Sequence, residues 1–199
     1  CNEIGFQKII FCGSMNEYGN RKGLLKENSK PKNLKTMYAK YKYLTTMYGV
    51  KKIKKFYSIR PSYIYGYNQR SGTLIDLLLK SIKKNKEIGM SHCKIYRDYV
   101  FVDDVAMAFF NISTLNGSEG IYNVGSGKVI TLKKLILIIA QQANFNKNLL
   151  NFGKLPKRKE QQHPKCFMDT KKIIKNFKWK MNYSLELGVN KILKKNKIK

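Results

Sequence analysis

The chain has 199 residues, 43% of them hydrophobic, with 40 Lys and Arg against 12 Asp and Glu, a formal charge of +28. That apolar content suffices for one packed domain, or a domain plus a lobe, and excludes a disordered tail. The longest apolar stretch, Leu135 to Ala140, falls far short of the roughly 20 residues a bilayer-spanning helix needs, and no cleavable signal heads the chain. The sequence therefore reads as soluble and cytoplasmic, with no membrane partner.

The first strand is expected in the apolar run Phe6 to Cys12, which ends at Gly13-Ser14. A stretch rich in Lys, Asn and Gly follows to about Leu34. Thr36 to Tyr48 then has helical spacing, with Tyr38, Lys42 and Thr45 on neighbouring turns. Lys55 to Ile64 predicts a second strand, closed off by Tyr65-Gly66. Thr73 to Lys84 predicts a helix with Leu74, Leu77, Leu78 and Ile82 on a core-facing stripe. From Tyr96, strand alternation turns at Asp103-Asp104 into a helix through Phe110, the two acids lying where the helix dipole favours negative charge, in a capping role. Gly120 to Gly127 predicts a short strand and turn, Thr131 caps a helix through about Ala143, and a last helical region follows Trp179-Lys180. Strands alternating with helices predict an α/β fold with parallel pairing and no internal repeat.

A charge of +28 suggests nucleic acid, because neutralising phosphates releases counterions. Of the 40 basic residues, however, 35 are Lys and five are Arg, whereas base reading leans on the bidentate guanidinium. Nucleic-acid binding is therefore the remoter alternative. Cys1, Cys12, Cys93 and Cys166 are scattered without a C-x-x-C pair, which reads as reduced thiols. His92-Cys93 and His163 with Cys166 do not make a four-ligand set, and no metal is expected.

Tyr38 and Lys42, four apart on a helix, put a cationic amine on the same face as a phenol and favour its phenolate. A free tyrosine titrates near pKa ~10 and needs such help for acid-base work at neutrality. The spacing also occurs at Tyr18/Lys22 and Tyr48/Lys52, so context selects among the three. Tyr38 lies on a predicted helix within Y-A-x-x-K, and Ser14 stands 24 residues earlier at the carboxyl end of a strand, where open α/β sheets bind ligands.

These residues form part of an ordered series. It comprises Ile9 to Gly19 (IIFCGSMNEYG), Tyr38 to Lys42 (YAKYK), Arg60 to Gly66 (RPSYIYG), Arg97 to Ala106 (RDYVFVDDVA) and Ile121 to Gly127 (IYNVGSG). Met168 to Tyr183 adds a weaker match through Asp169 and Lys178-Trp179-Lys180. The series resembles the NAD-dependent epimerase/dehydratase family, the extended short-chain dehydrogenase/reductases that act on nucleotide sugars.

The resemblance implies a partial Rossmann-like parallel sheet, its later strands only, with a small α/β substrate-binding lobe. Residues 1–66 would be the later half of the cofactor domain and 67–199 mainly the sugar-nucleotide lobe, with 96–127 partly returning to the sheet. It also implies NAD or NADP as cofactor and a nucleotide-diphosphate sugar as substrate. Tyr38 would be the acid/base, Lys42 would hold the cofactor ribose, and Ser14 would hydrogen-bond the reacting sugar oxygen. Arg97 would contact the diphosphate, and Tyr63, Gln69 and Arg70 would face substrate. Asp103, Asp104 and Asn123 are expected to be structural. A homodimer through the Tyr38 to Tyr48 helix is also implied.

Two departures qualify the match. The glycine fingerprint that cradles the dinucleotide does not occur in these residues, so the chain is expected to be the later part of the enzyme, with its first strand lacking a neighbour. A separately encoded N-terminal half is one expected partner, and a product without independent activity is the alternative reading. Met15 and Asn16 stand where the dehydratase branch has its acidic pair, which argues for an epimerase or 4-ketoreductase of deoxysugar or surface-polysaccharide synthesis.

Overall fold

The computed structural model describes residues 5–68, 70–156 and 165–198. In chain order its elements begin with β1 (Ile9–Cys12), a 3-10 turn (Met15–Tyr18), β2 (Gly23–Leu25), α1 (Met37–Lys52), β3 (Phe56–Pro61) and β4 (Tyr63–Tyr65). They continue with α2 (Leu74–Lys84), β5 (Ile88–Met90), β6 (Tyr96–Arg97), β7 (Tyr99–Phe101) and α3 (Val102–Thr114). The last are β8 (Gly120–Val124), β9 (Ile130–Thr131), α4 (Leu132–Gln142), β10 (Leu150–Phe152), β11 (Cys166–Met168), α5 (Lys171–Phe177) and α6 (Leu185–Lys195). No helix among the described residues is long and apolar enough to cross a membrane.

The main sheet has three parallel strands in the order β1-β3-β8. Every residue of β3 is buried, as expected of a central parallel strand covered on both faces. Its alternation sorts the faces. Phe56 packs its ring so closely against Gly49 of α1 that a Cβ there would lie 2.2 Å from the ring, and the Ser58 hydroxyl meets that of Thr46 in α1 at 2.8 Å. On the opposite face Tyr57 and Ile59 join Val105, Ala108 and Ile112 of α3 with Ile173 and Phe177 of α5. The Phe177 ring stands edge-on to Tyr57 and Tyr122, with centroids 5.8 and 5.0 Å away. The outer edge of β1 has no strand partner among the described residues.

A second core fills the lobe. Leu78, Leu79 and Ile82 of α2 pack with Leu135, Ile136 and Ile139 of α4 and Val189, Ile192 and Leu193 of α6. The expected Leu stripe is therefore rotated: Leu77 is 45% exposed and Leu79 takes its place in the core. Parallel pairs β5-β10 and β4-β7 and the antiparallel pair β6-β9 complete the lobe, while parallel β2-β11 joins segments from opposite ends of the chain.

The single strand expected over Lys55 to Ile64 is two strands. At Ser62 the backbone changes partner: Ser62 N donates to Val124 O of β8 at 2.8 Å and Tyr63 N to Asp98 O at 2.9 Å. That transfer sends β4 away from the main sheet to pair with β7.

The acids at the start of α3 also differ from expectation. They occupy its first turn, yet its N-cap position, Phe101, makes no side-chain cap. Asp104 instead accepts from the backbone N–H of Asn182 (2.8 Å) and Tyr183 (3.2 Å), and its own carbonyl accepts the Trp179 indole N–H at 2.8 Å. Asp103 takes Lys191 at 2.9 Å and the Tyr67 hydroxyl. Asp104 thus ties the connection between α5 and α6 to α3, and Asp103 ties α6 itself and the segment after β4 to it.

Truncating Ile59, which has no exposed surface, leaves a cavity between the sheet and α3. Ile59→Ala is expected to cost about 2–5 kcal/mol, read as a lowered urea midpoint with an unchanged slope; a loss within experimental error would place the sheet's core elsewhere.

Candidate functional site

Three parallel strands end at the same rim of the sheet. Ser14 follows β1, Ser62 follows β3 and the loop Gly125 to Gly127 follows β8. Residues joined across such a rim face the crevice where open α/β sheets bind ligands.

Ser14 is almost fully buried, in extended backbone, and caps the 3-10 turn: its Oγ accepts the Asn16 N–H at 3.2 Å. α1 packs against that turn. Thr36 starts the helix by accepting the Ala39 N–H at 3.1 Å, a side-chain cap typical of helix N-termini. One turn further, Lys42 donates from Nζ to the Cys12 carbonyl at 2.7 Å, two residues before Ser14. The ammonium lies 4.8 Å from the centre of the Phe11 ring and 5.7 Å from that of Tyr38, within reach of cation–π attraction. Tyr38 itself is 53% exposed. The α1 register therefore brings Tyr38 and Lys42 to the end of β1 that carries Ser14.

Beneath Ser14 runs a buried polar network that the sequence reading did not assign. Glu17, with no exposed surface, accepts the Ser14 N–H at 2.8 Å and pairs with Arg60 Nε of β3 at 2.8 Å. Burial raises the Glu17 pKa and the Arg60 charge opposes that shift. The Arg60 guanidinium lies 4.6 Å over the Tyr18 ring. Burial pushes the Tyr18 phenol up to about 12, so it stays protonated and donates to Asn123 Oδ1 at 2.7 Å. Asn123 Nδ2 passes the chain to Leu25 O at 2.9 Å, a structural role as expected. The available signal was the S-x-x-E spacing of Ser14 and Glu17, which is that of a capping box.

Asp98, also without exposed surface, is the second unassigned acid. Its carboxylate accepts from Ser126 N (2.8 Å), Ser126 Oγ (2.7 Å), Gly127 N (3.2 Å), Met168 N (2.9 Å) and Ser62 Oγ (3.3 Å). Burial raises its pKa, and the Met168, Ser126 and Gly127 bonds oppose the rise. Beside it Arg97 is only 6% exposed, with its guanidinium carbon 4.0 Å from the Tyr63 ring centre. It donates to the Tyr96 carbonyl at 3.4 Å, and no carboxylate among the described residues pairs with it. A buried cation in that state favours an anion.

Arg70 is exposed and lines a cavity of about 550 Å³ between the start of α2 and β5, together with Thr73, Leu77, Met90, Ser91 and Leu155. Ser14, Tyr38, Lys42 and Arg97 do not line it. Gln69 lies outside the described residues. Met15 is buried with Tyr18, Leu25, Cys166 and Met168. Cys12, Cys93 and Cys166 are free, the last two buried.

The sequence profile of the NAD dependent epimerase/dehydratase family matches residues 1–125. Among curated proteins, the CDP-abequose synthase of Salmonella muenchen is 28% identical over 140 residues, covering 69% of this chain and 47% of that protein. The dTDP-4-dehydro-6-deoxyglucose reductase of Escherichia coli is 30% identical over 147 residues, covering 70% of this chain and 44% of that one. The chain thus spans about half the length of these curated relatives. The solved UDP-glucose 4-epimerase of Thermotoga maritima, with UDP-glucose, superposes with a TM-score of 0.80 at 23% identity, covering 97% of this chain and 65% of that one. That superposition supports a Rossmann-like α/β fold.

In Asp98→Asn an amide N–H₂ faces backbone donors that the carboxylate now accepts. Two unpaired donors predict a loss of about 2–6 kcal/mol, measurable by denaturant unfolding; an unchanged midpoint would mean that this carboxylate is not what joins β8 to β11.

Proposed function

Because the chain belongs to the NAD dependent epimerase/dehydratase family, we propose that it supplies the acid-base and sugar-nucleotide residues of an NAD(P)-dependent nucleotide-sugar epimerase or 4-ketoreductase. The observation that carries this reading is the Lys42 bond to the Cys12 carbonyl, which anchors the Tyr38 helix at the strand end bearing Ser14. Tyr38 moves a proton to or from a sugar oxygen, and Ser14 hydrogen-bonds that oxygen and steadies developing charge. Lys42 has three N–H donors, of which the Cys12 carbonyl takes one, leaving two for a ribose. These groups fit the nicotinamide ribose end of the cofactor, which when bound exchanges a hydride with the sugar carbon.

Arg97 meets the diphosphate, because its buried charge lacks a carboxylate partner among the described residues and its fork suits phosphate oxygens. Tyr63 and Arg70 face the rest of the substrate. Met15 and Asn16 offer no acid pair for eliminating water, which favours reduction or epimerisation over dehydration. In this reading residues 1–66 belong to the cofactor domain, 67–199 mainly to the sugar-nucleotide lobe, and 96–127 partly return to the sheet.

The open edge of β1 supports a second reading, in which catalysis needs strands outside the described residues. The two readings separate by assaying the 199-residue chain alone with NADPH and dTDP-4-dehydro-6-deoxyglucose, or with NAD and UDP-glucose. Turnover by the chain alone removes the second reading.

Tyr38→Phe is expected to lower turnover about 10²–10⁴-fold while leaving the circular dichroism spectrum unchanged; retained turnover would remove Tyr38 from the chemistry. The solvent face of α1 carries Tyr41, Leu44 and Tyr48, each 59–65% exposed, and supports a homodimer through this helix. Leu44→Glu should shift the sedimentation coefficient from that of a dimer to that of a monomer, and a monomeric parent protein would remove this interface.

A further inference from the structure

Glu17 joins three elements at one carboxylate. Oε1 accepts the Ser14 N–H at 2.8 Å, just past the end of β1, and Oε2 accepts from Arg60 Nε of β3 at 2.8 Å. The Thr46 hydroxyl of α1 also stabilises the charge, and it reaches Ser58 of β3 at 2.8 Å. α1 is the helix that carries Tyr38 and Lys42. The approach is tight: a Cβ at Gly13 would lie 2.5 Å from Glu17 Oε1, so the residue before Ser14 must lack a side chain.

We propose that Glu17 is a positioning residue, holding the Ser14 backbone at the rim of the sheet and in register with the Tyr38 helix. This rests on the reading that Ser14 meets the sugar oxygen. The argument is one of donor and acceptor count. A carboxylate has two acceptor oxygens, whereas a glutamine amide has one acceptor and one donor. With Ser14 N–H on one side and Arg60 Nε–H on the other, Glu17→Gln must set an N–H₂ against one of them. A methionine is apolar and leaves both unpaired. Only a charged, two-oxygen group of this length satisfies strand, turn and helix together.

A merely structural ion pair would lower stability and leave the chemistry of each folded molecule unchanged. The discriminating test is therefore a double-mutant cycle with Ser14→Ala in the protein as its gene encodes it, using NADPH and dTDP-4-dehydro-6-deoxyglucose as probes and following loss of reduced-nicotinamide absorbance. Glu17→Gln is expected to lower kcat about 10- to 100-fold with KM changed less than about threefold, since misplacing one hydrogen-bonding group at a reacting oxygen costs that order. On the Ser14→Ala background the same change should cost less than about threefold more, because residues acting through one another are non-additive. Fully multiplicative losses, or a kcat unchanged in a folded Glu17→Gln, overturn the proposal.

If Glu17→Gln does not fold, Glu17→Met with Arg60→Met removes both buried charges and supports the same cycle, since apolar replacement of a buried pair is tolerated. Amide hydrogen exchange at Ser14 supplies the readout that does not need turnover. Exchange should be at least about tenfold faster in Glu17→Gln than in the parent, through loss of local protection; equal rates mean that Glu17 does not hold Ser14. A parent protein that exchanges Ser14 slowly yet turns over neither this substrate nor UDP-glucose with NAD overturns the functional reading, and the catalytic consequence of Glu17 falls with it.

Discussion

A carboxylate taken wholly out of water must find donors inside the protein, and Asp98 finds them on three separate segments. Its bonds reach Ser62 after β3, Ser126 and Gly127 after β8, and Met168 at the end of β11. The first two segments are irregular backbone at the rim of the sheet, where ladder hydrogen bonds run out, and the third is the last residue of a short strand. One acid thereby replaces the missing ladder and lets the rim be both well packed and free of regular structure. Arg97, the next residue toward the N-terminus, inherits a fixed position from it.

The charges at this rim are organised in two different ways. Glu17 and Arg60 neutralise each other at 2.8 Å with almost no exposed surface, an arrangement that contributes geometric definition more dependably than net stability. Arg97 is also buried but faces the Tyr63 ring. The protein thus pairs one guanidinium with a carboxylate and sets the other against an aromatic ring, with no carboxylate partner among the described residues. Such a division follows from the planar, always charged character of arginine, and it explains why a chain with so many lysines places arginine at both positions.

Sequence reading reached the elements whose residues carry their own signals. The Thr131 cap locates the start of α4 closely, because an N-cap is a local interaction between a hydroxyl and an N–H three residues on. The approach of the Tyr38 and Lys42 helix to the strand end before Ser14 was legible through spacing and the ordered motifs around them. What escaped was non-local. β2 is three residues long and exists through pairing with β11 some 140 residues later, so no window around Gly23 contains its cause. The break at Ser62 arises because one N–H finds Val124 and the next finds Asp98, which no alternation pattern encodes. Glu17 was passed over because a lone acid in a loop ordinarily reads as solvated, and its partner Arg60 lies 43 residues away. Leu77 and Leu79 exchanged places because the orientation of α2 is set by α4 and α6 rather than by its own stripe.

The chain contains a single tryptophan, and its place in the fold gives it an optical use. Trp179 is buried to 1% exposure in the segment between α5 and α6, with its indole N–H held by the Asp104 carbonyl. The thirteen tyrosines are spread through the chain, but indole emission arises only where the C-terminal segment docks on α3. Its wavelength therefore reports, with no label added, whether that segment stays docked on α3 and on the core that α3 shares with the main sheet.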